Sequence, residues 1–234
     1  MSKEIAAAAS TDMTQFDDSD WGVEVSARNI VIPKIMLMQG LSEAVIEGGA
    51  KLGDLYNSLT KKVVGDTSKS LELIPFFQKE MWYIFKVVGK DETFLRIEDL
   101  DSSNVNWRYE DFEGDMAVKR IKVLQFYCID PSNPDLPVIV SFKGKSMRTG
   151  QELYTMMYFT NRQENKFPPS YHILLSSVRD KNEKGTFAKY TFKRGDESTS
   201  NELKLCLEWI NTIKSGKAKD APEEAKEPEQ NPAF

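Results

Sequence analysis

Histidine is nearly absent from this chain, cysteine is scarce and no apolar run is long, and each shortage removes a class of function. Among 234 residues there is one histidine, His172, so a Ser-His-Asp or Cys-His constellation has a single imidazole to draw on. HExxH, CxxC, P-loop and GxGxxG patterns do not occur. The adjacent carboxylates Glu98 with Asp99 and Glu110 with Asp111 lie in polar, loop-like sequence and read as solvated surface. The expectation is a protein that is not an enzyme, with no metal and no other cofactor. Cys128 and Cys206, each between bulky neighbours, read as buried free thiols. The longest apolar stretches, Ile30 to Met38 and Met81 to Val88, are broken by Pro33, Lys34 and Lys86 and fall short of the roughly 20 residues a membrane span needs. Ile5 to Ala9 is too short for a signal sequence. The expected address is the cytoplasm, with no membrane contact.

What is present is ordinary for a folded protein: 40% hydrophobic, 11% aromatic and 29% charged residues, with a mean hydropathy of -0.46. The net charge of -5 is unevenly spread. Residues 1 to 24 carry one basic and six acidic side chains, a net of -5, and residues 220 to 234 carry one and five, a net of -4. The remainder, 25 to 219, has 29 basic against 25 acidic side chains, a net of +4. Two acidic ends flank a mildly basic core, which speaks to partners rather than to fold.

The chain divides by composition into a flexible acidic N-terminal arm at 1–24, a folded unit at 25–216 and a disordered acidic tail at 217–234. Ile30 to Gln39 is a strand or a short helix, followed by turns at Glu47 to Ala50 and at Gly53 and Asp54. Leu71 to Phe76 and Met81 to Val88 read as two successive strands, Asp99 to Asp115 as a long connection, and Val118 to Ile129 as a strand alternating basic and apolar residues. Asp130 to Pro137 reads as a loop and Val138 to Phe142 as a strand. The spacing of Leu153, Met156, Met157 and Phe159 predicts a helix over 146–160, capped by Ser146 or Thr149. Tyr171 to Arg179 and Thr186 to Lys193 form a hairpin around DKNEKG, and Ser200 to Lys214 a last helix ending at Gly216. The fold class expected is mixed α/β, mainly β: an oligonucleotide-binding (OB-fold-like) barrel with a helix between strands three and four, extra N-terminal elements and a C-terminal helix.

Aromatic side chains in the expected strands stand beside basic ones. Lys79, Trp82, Tyr83 and Lys86 form one such group, and Lys119, Arg120, Lys122 and Tyr127 a second. Lys143, Lys145 and Arg148 follow the strand that ends at Phe142, and Lys189, Tyr190, Lys193 and Arg194 alternate in the last strand. Single-stranded nucleic acids are held this way, with bases stacked on rings and cations following the phosphates. In strands that bury one face, about half of such rings belong to the core.

The tail reads KAKDAPEEAKEPEQNPAF, acidic and rich in proline, and ends on Phe234. It resembles the C-terminal tips of bacterial and phage single-stranded DNA-binding proteins, which implies that Glu227, Glu229 and Phe234 bind replication or recombination proteins. The tip is less acidic than in those proteins. IPKIMLMQGLSEAV, GDLYNSLT, LIPFF, MWYIF, VIVSFKGKSM and NEKGTF together resemble a group of tailed-phage single-stranded DNA-binding proteins found with replication genes. That resemblance spans about residues 30 to 195 and implies a fold and a class, but no individual contact. The function expected is sequence-independent binding and protection of single-stranded DNA in phage-type replication or recombination, in the host cytoplasm if the chain is phage-encoded. The alternative is a phage virion or assembly protein that uses a β-rich domain for protein contacts. Oligomeric state is open.

Overall fold

Two long, largely apolar stretches, Leu71–Val88 and Met116–Asp130, pair antiparallel, and the sheet is organised around that pair. The computed structural model describes residues 30–160, 163, 168–183, 185–216 and 218–220. In chain order the strands are β1 (Ile30–Ile32), β2 (Lys34–Leu37), β3 (Leu55–Asn57), β4 (Lys62–Gly65), β5 (Leu71–Val88), β6 (Asp91–Asp99), β7 (Glu110–Glu113), β8 (Met116–Asp130), β9 (Asn133–Phe142), β10 (Tyr171–Asn182), β11 (Gly185–Glu197) and β12 (Ala218–Asp220). The helices are α1 (Glu43–Ile46), α2 (Met147–Thr155) and α3 (Ser200–Lys214).

Ten strands form one sheet in the order β11-β10-β5-β8-β9-β2-β3-β4, with β6 added to β5 and β7 to β8. Only β2 joins it in parallel, against β9. The sheet curls into a half-barrel whose ends are tied together by hydrogen bonds. The Gln39 side chain clamps Ala188 of β11, donating to its carbonyl at 3.1 Å and accepting from its N–H at 3.1 Å. The Tyr190 hydroxyl donates to the Ile35 carbonyl at 2.8 Å, and the Ser177 hydroxyl of β10 donates to the Gly53 carbonyl. The architecture is thus mainly β, as the sequence predicts.

The concave side holds the main core: Leu73 of β5, Leu124, Phe126 and Cys128 of β8, Val140 and Phe142 of β9, and Ile173 and Leu175 of β10. Each such side chain contributes about 1.5 to 3 kcal/mol on burial. α2 lies across this core, inserting Leu153, and the turn that follows it inserts Met157. At Gly150 an added Cβ would come within 2.7 Å of Phe142 Cβ, so glycine is what lets α2 approach β9. The two hydroxyls expected to cap this helix anchor it instead. Ser146 Oγ accepts from the Tyr190 N–H at 3.1 Å and Thr149 Oγ1 donates to the Tyr190 carbonyl at 3.0 Å.

The convex side carries a second core, in which Ile74, Phe76, Tyr127, Ile129 and Ile139 pack with Cys206 and Ile213 of α3. α3 occupies the residues the sequence predicts. Thr199 and Glu202 form its capping box and Gly216, at φ +67°, follows its end. Both cysteines are buried free thiols; burial pushes Cys128 well above the ordinary thiol range and Cys206 up to about 12.

Several boundaries differ from expectation. The two strands expected at 71–76 and 81–88 are one, because β8 pairs with β5 continuously through Lys79 and Glu80. The connection expected over Asp99 to Asp115 contains β7, turned back onto β8 at Gly114, φ +62°. The loop expected at Asp130 to Pro137 is a tight turn in which Asp130 Oδ1 accepts from the N–H and hydroxyl of Ser132. β9 therefore starts at Asn133, and Pro134 and Pro137 fall where β2 does not yet pair with it. Past Gly216, β12 pairs in parallel with β1. Residues 1–29 and 221–234, which include the acidic arm and Glu227, Glu229 and Phe234, lie outside the described residues. Among the described residues no helix is long and apolar enough to cross a membrane.

Candidate nucleic-acid interface

The side chains singled out in the sequence separate into three groups. The first is aromatic and buried. Tyr127 is fully enclosed, Tyr83 and Tyr190 are nearly so, and Trp82 keeps 7% of its surface. Trp82 meets Trp107 at 6.4 Å between ring centroids and Tyr83 meets Phe94 at 6.2 Å. With no exposed face these rings belong to the packing of the sheet, and none can stack on a base as placed.

The second group is basic but committed. Lys119 is buried in β8 with its ammonium 2.9 Å from both Glu92 carboxylate oxygens. Burial works against that charge, but Tyr109 and Glu92 together outweigh it and its pKa is raised. Arg120, also buried, reaches Asp111 at 2.8 Å and Glu113 at 3.1 Å and lies 4.3 Å over the Trp107 ring. Glu113 also takes Arg96 at 2.9 Å, and Arg96 takes Glu98 at 2.6 Å. Lys122 pairs with Glu80 at 2.7 Å. β6, β7 and the segments of β5 and β8 beside them form an acidic extension knit together by these pairs. Residues 89–115 hold three basic and nine acidic side chains, a net of -6.

The third group stands at the surface. Lys86, Lys145, Arg148, Lys193 and Arg194 are exposed, and Lys79, Lys143 and Lys189 partly so. Lys79 lies 5.7 Å over the Tyr127 ring, Lys143 lies 5.8 Å over the Tyr83 ring, and Arg194 stacks on Tyr171 at 3.4 Å. Lys189 pairs with Asp180 at 2.8 Å. The Asp180 carboxyl is held below its ordinary range first by Lys189, then by the Lys181 N–H, with the charge of Lys145 adding to it. The start of α2 and the β10–β11 hairpin therefore share one basic neighbourhood, drawn together by the bonds from Ser146 and Thr149 to Tyr190. Lys86, on the extension, lies apart from it in sequence and in strand order.

Residues 143–194 hold eleven basic and four acidic side chains, a net of +7. The sequence reading, which averaged over 25–219, missed this concentration; a count over shorter windows finds it. It also passed over Arg179 and Lys181 of β10 and the exposed ring of Phe159. His172 is taken up structurally. Its Nδ1 lies 2.7 Å from Glu72 of β5 and its Nε2 lies 3.3 Å from Glu202 of α3, so the imidazole links helix to sheet. Among the described residues there is no group of three or more His, Cys, Asp or Glu side chains arranged to hold a metal ion.

No curated protein and no solved structure matches this chain. A family model described as Pam3 phage gp34-like protein matches residues 2–219. With a mainly β half-barrel beneath that match, the chain belongs to the Pam3 phage gp34-like protein family.

Proposed function

We propose that this phage-family protein binds single-stranded DNA without sequence preference, using the basic surface formed by α2 and the β10–β11 hairpin, in replication or recombination. The observation that carries the reading is the segregation of charge. A net of +7 over 143–194, with Lys145, Arg148, Lys181, Lys193 and Arg194 exposed, supplies the phosphate contacts that dominate affinity for single strands. Connectivity supports an OB-type reading. β5, β8 and β9 form a meander, α2 follows, and the β10–β11 hairpin returns β10 onto β5. One departure is that β2, β3 and β4 occupy the sheet between β9 and the end that faces β11. On this reading Glu227, Glu229 and Phe234 recruit replication proteins, as the resemblance of the tail to the tips of single-stranded DNA-binding proteins implies.

A second reading, a virion or assembly protein, draws on the acidic extension, where Phe112 is 68% exposed beside Glu110, Asp111 and Glu113. Titration with oligo(dT) separates the two. The first reading expects binding at about 50 mM salt that falls steeply as salt rises, with a log-log slope of about 0.7 per phosphate contact. Lys145→Glu with Lys193→Glu should weaken binding about tenfold or more, a loss of about 1.4 kcal/mol. No binding at low salt, or a preference for duplex, rejects the first reading.

A further inference from the structure

We propose that the end of α2 and the turn after it form a base-stacking subsite for single-stranded DNA, built on Tyr154, Tyr158 and Phe159. The inference rests on the DNA-binding reading above and deepens it, because the rings identified in the sequence as stackers are buried and leave that role unfilled.

After Thr155 the helix widens into a π-helical turn, Met156–Thr160, a rare irregularity that occurs frequently at functional sites. Leu153 and Met157 point into the barrel core, while Phe159 keeps 60% of its surface exposed. Tyr154 lies 4.7 Å from Tyr158 and 6.4 Å from Phe159 between ring centroids. Tyr154 and Tyr158 are partly buried against the core. They give Phe159 a rigid aromatic backing, and packing inside the barrel does not account for its exposure. Arg148, Gln151, Glu152, Thr155 and Met156 line a shallow depression on the same helical segment. Arg148 is 88% exposed, and its partner is Glu152 one turn on, at 3.1 Å, a surface pair that a phosphate can replace.

The occupant follows from these two chemistries together. One exposed ring, backed by two partly buried ones, on a segment of net +7 complements an anion that carries planar apolar faces, which is what an unpaired nucleotide is. Every base has such a face, so the subsite is indifferent to sequence.

The test uses the full-length chain with 5-iodouracil-substituted oligo(dT), read by binding isotherms and by mass spectrometry of photocrosslinked peptides. Phe159→Ala should lower affinity at least about fivefold, the low end for losing one base stack, with an unchanged circular dichroism spectrum, and Phe159→Trp should restore it. Crosslinks should fall on Tyr154, Tyr158 or Phe159. Wild-type binding with Phe159→Ala within twofold and crosslinks elsewhere overturns the subsite and leaves the DNA-binding reading standing. Wild-type protein that does not bind oligo(dT) at low salt overturns both. Should Phe159→Ala misfold, the wild-type crosslinks decide.

Discussion

In the acidic extension Lys119 and Arg120 are buried in ion pairs; in α2 and the β10–β11 hairpin most of the described basic side chains stand at the surface. Arg96, Lys119 and Arg120 all sit within 3.1 Å of Glu92, Glu98, Asp111 or Glu113, so of the six basic and nine acidic side chains in residues 89–123 these three cations are already spent on structure. In the hairpin half, with four acids among fifteen charged side chains, few cations can be neutralised locally. The lesson is that a basic side chain in a strand tells nothing about ligand binding until the acids around it are counted. Lys119 and Lys193 look alike in sequence. The first is 1% exposed and holds a carboxylate, and the second stands at the surface.

The largest effect that separates the two halves is on stability. Glu92→Ala leaves the Lys119 ammonium buried without its carboxylate, and truncating one partner of a buried pair costs about 3 kcal/mol or more. Glu92 is itself 27% exposed, so water can reach the site and the expected loss is about 2 kcal/mol, read as a lower urea midpoint at constant slope. Lys119→Met removes the charge and keeps the stem, and should cost less than about 1 kcal/mol. Equal losses would show that the extension is held by packing rather than by this pair. Loss of DNA binding in Lys119→Met without loss of stability would erase the distinction between the halves.

A smaller separation is expected on acidification. In the extension, hydrogen bonds from Arg96 first and then Arg120 hold the Glu113 carboxyl below its ordinary value of 4.5. The Phe112 N–H first and then Arg120 hold Asp111 below 3.8. A carboxyl lowered in the folded state stabilises fully above its ordinary value, and that contribution is lost as pH falls through the lowered one. As pH falls below about 4.5 the extension should therefore loosen before the barrel. Amide hydrogen exchange, corrected for intrinsic rates, should show residues 91–123 losing protection at a higher pH than residues 171–197. Simultaneous loss would mean that the two halves open as one cooperative unit.

How far each half could be read from the sequence follows from the same contrast. α3 was legible to the residue because its signals are local: Thr199 with Glu202 at one end, Gly216 at the other and apolar spacing between. The β10–β11 hairpin was legible for the same reason, although its strands run to Asn182 and from Gly185 and leave a shorter turn than DKNEKG suggests. β8 was placed correctly and misunderstood. Alternation shows which residues share a face, but not whether that face is covered. In β8 both faces are covered, by the barrel core on one side and by α3 on the other, so Tyr127 and Phe126 are equally buried. For the same reason the sequence does not distinguish Trp82, Tyr83 and Tyr190, buried here, from rings that line a groove. Phe159 was read as part of an apolar helical stripe because that spacing assumes a regular helix, and the π-helical turn breaks the register there.

The smallest expected effect concerns the tail and tests whether the basic half has a competitor within the chain. Residues 221–234 hold one basic and four acidic side chains, a net of -3, and they follow β12, which ends at Asp220 beside Ile32. Truncation after Asp220 keeps that strand pair, so stability should change by less than about 0.5 kcal/mol, as for surface changes generally. If the acids compete with phosphates for the surface around Lys145 and Lys193, oligo(dT) affinity should rise a few-fold at low salt. The gain should vanish near 1 M salt, where the screening length shrinks to about 3 Å. Phe234→Ala leaves the charge unchanged and should leave DNA affinity unchanged with it, while weakening binding to a replication partner. A truncated chain that binds oligo(dT) as the full chain does at every salt concentration would show that the tail does not reach the basic half. The contrast between the extension and the hairpin would then be the whole of the electrostatic design.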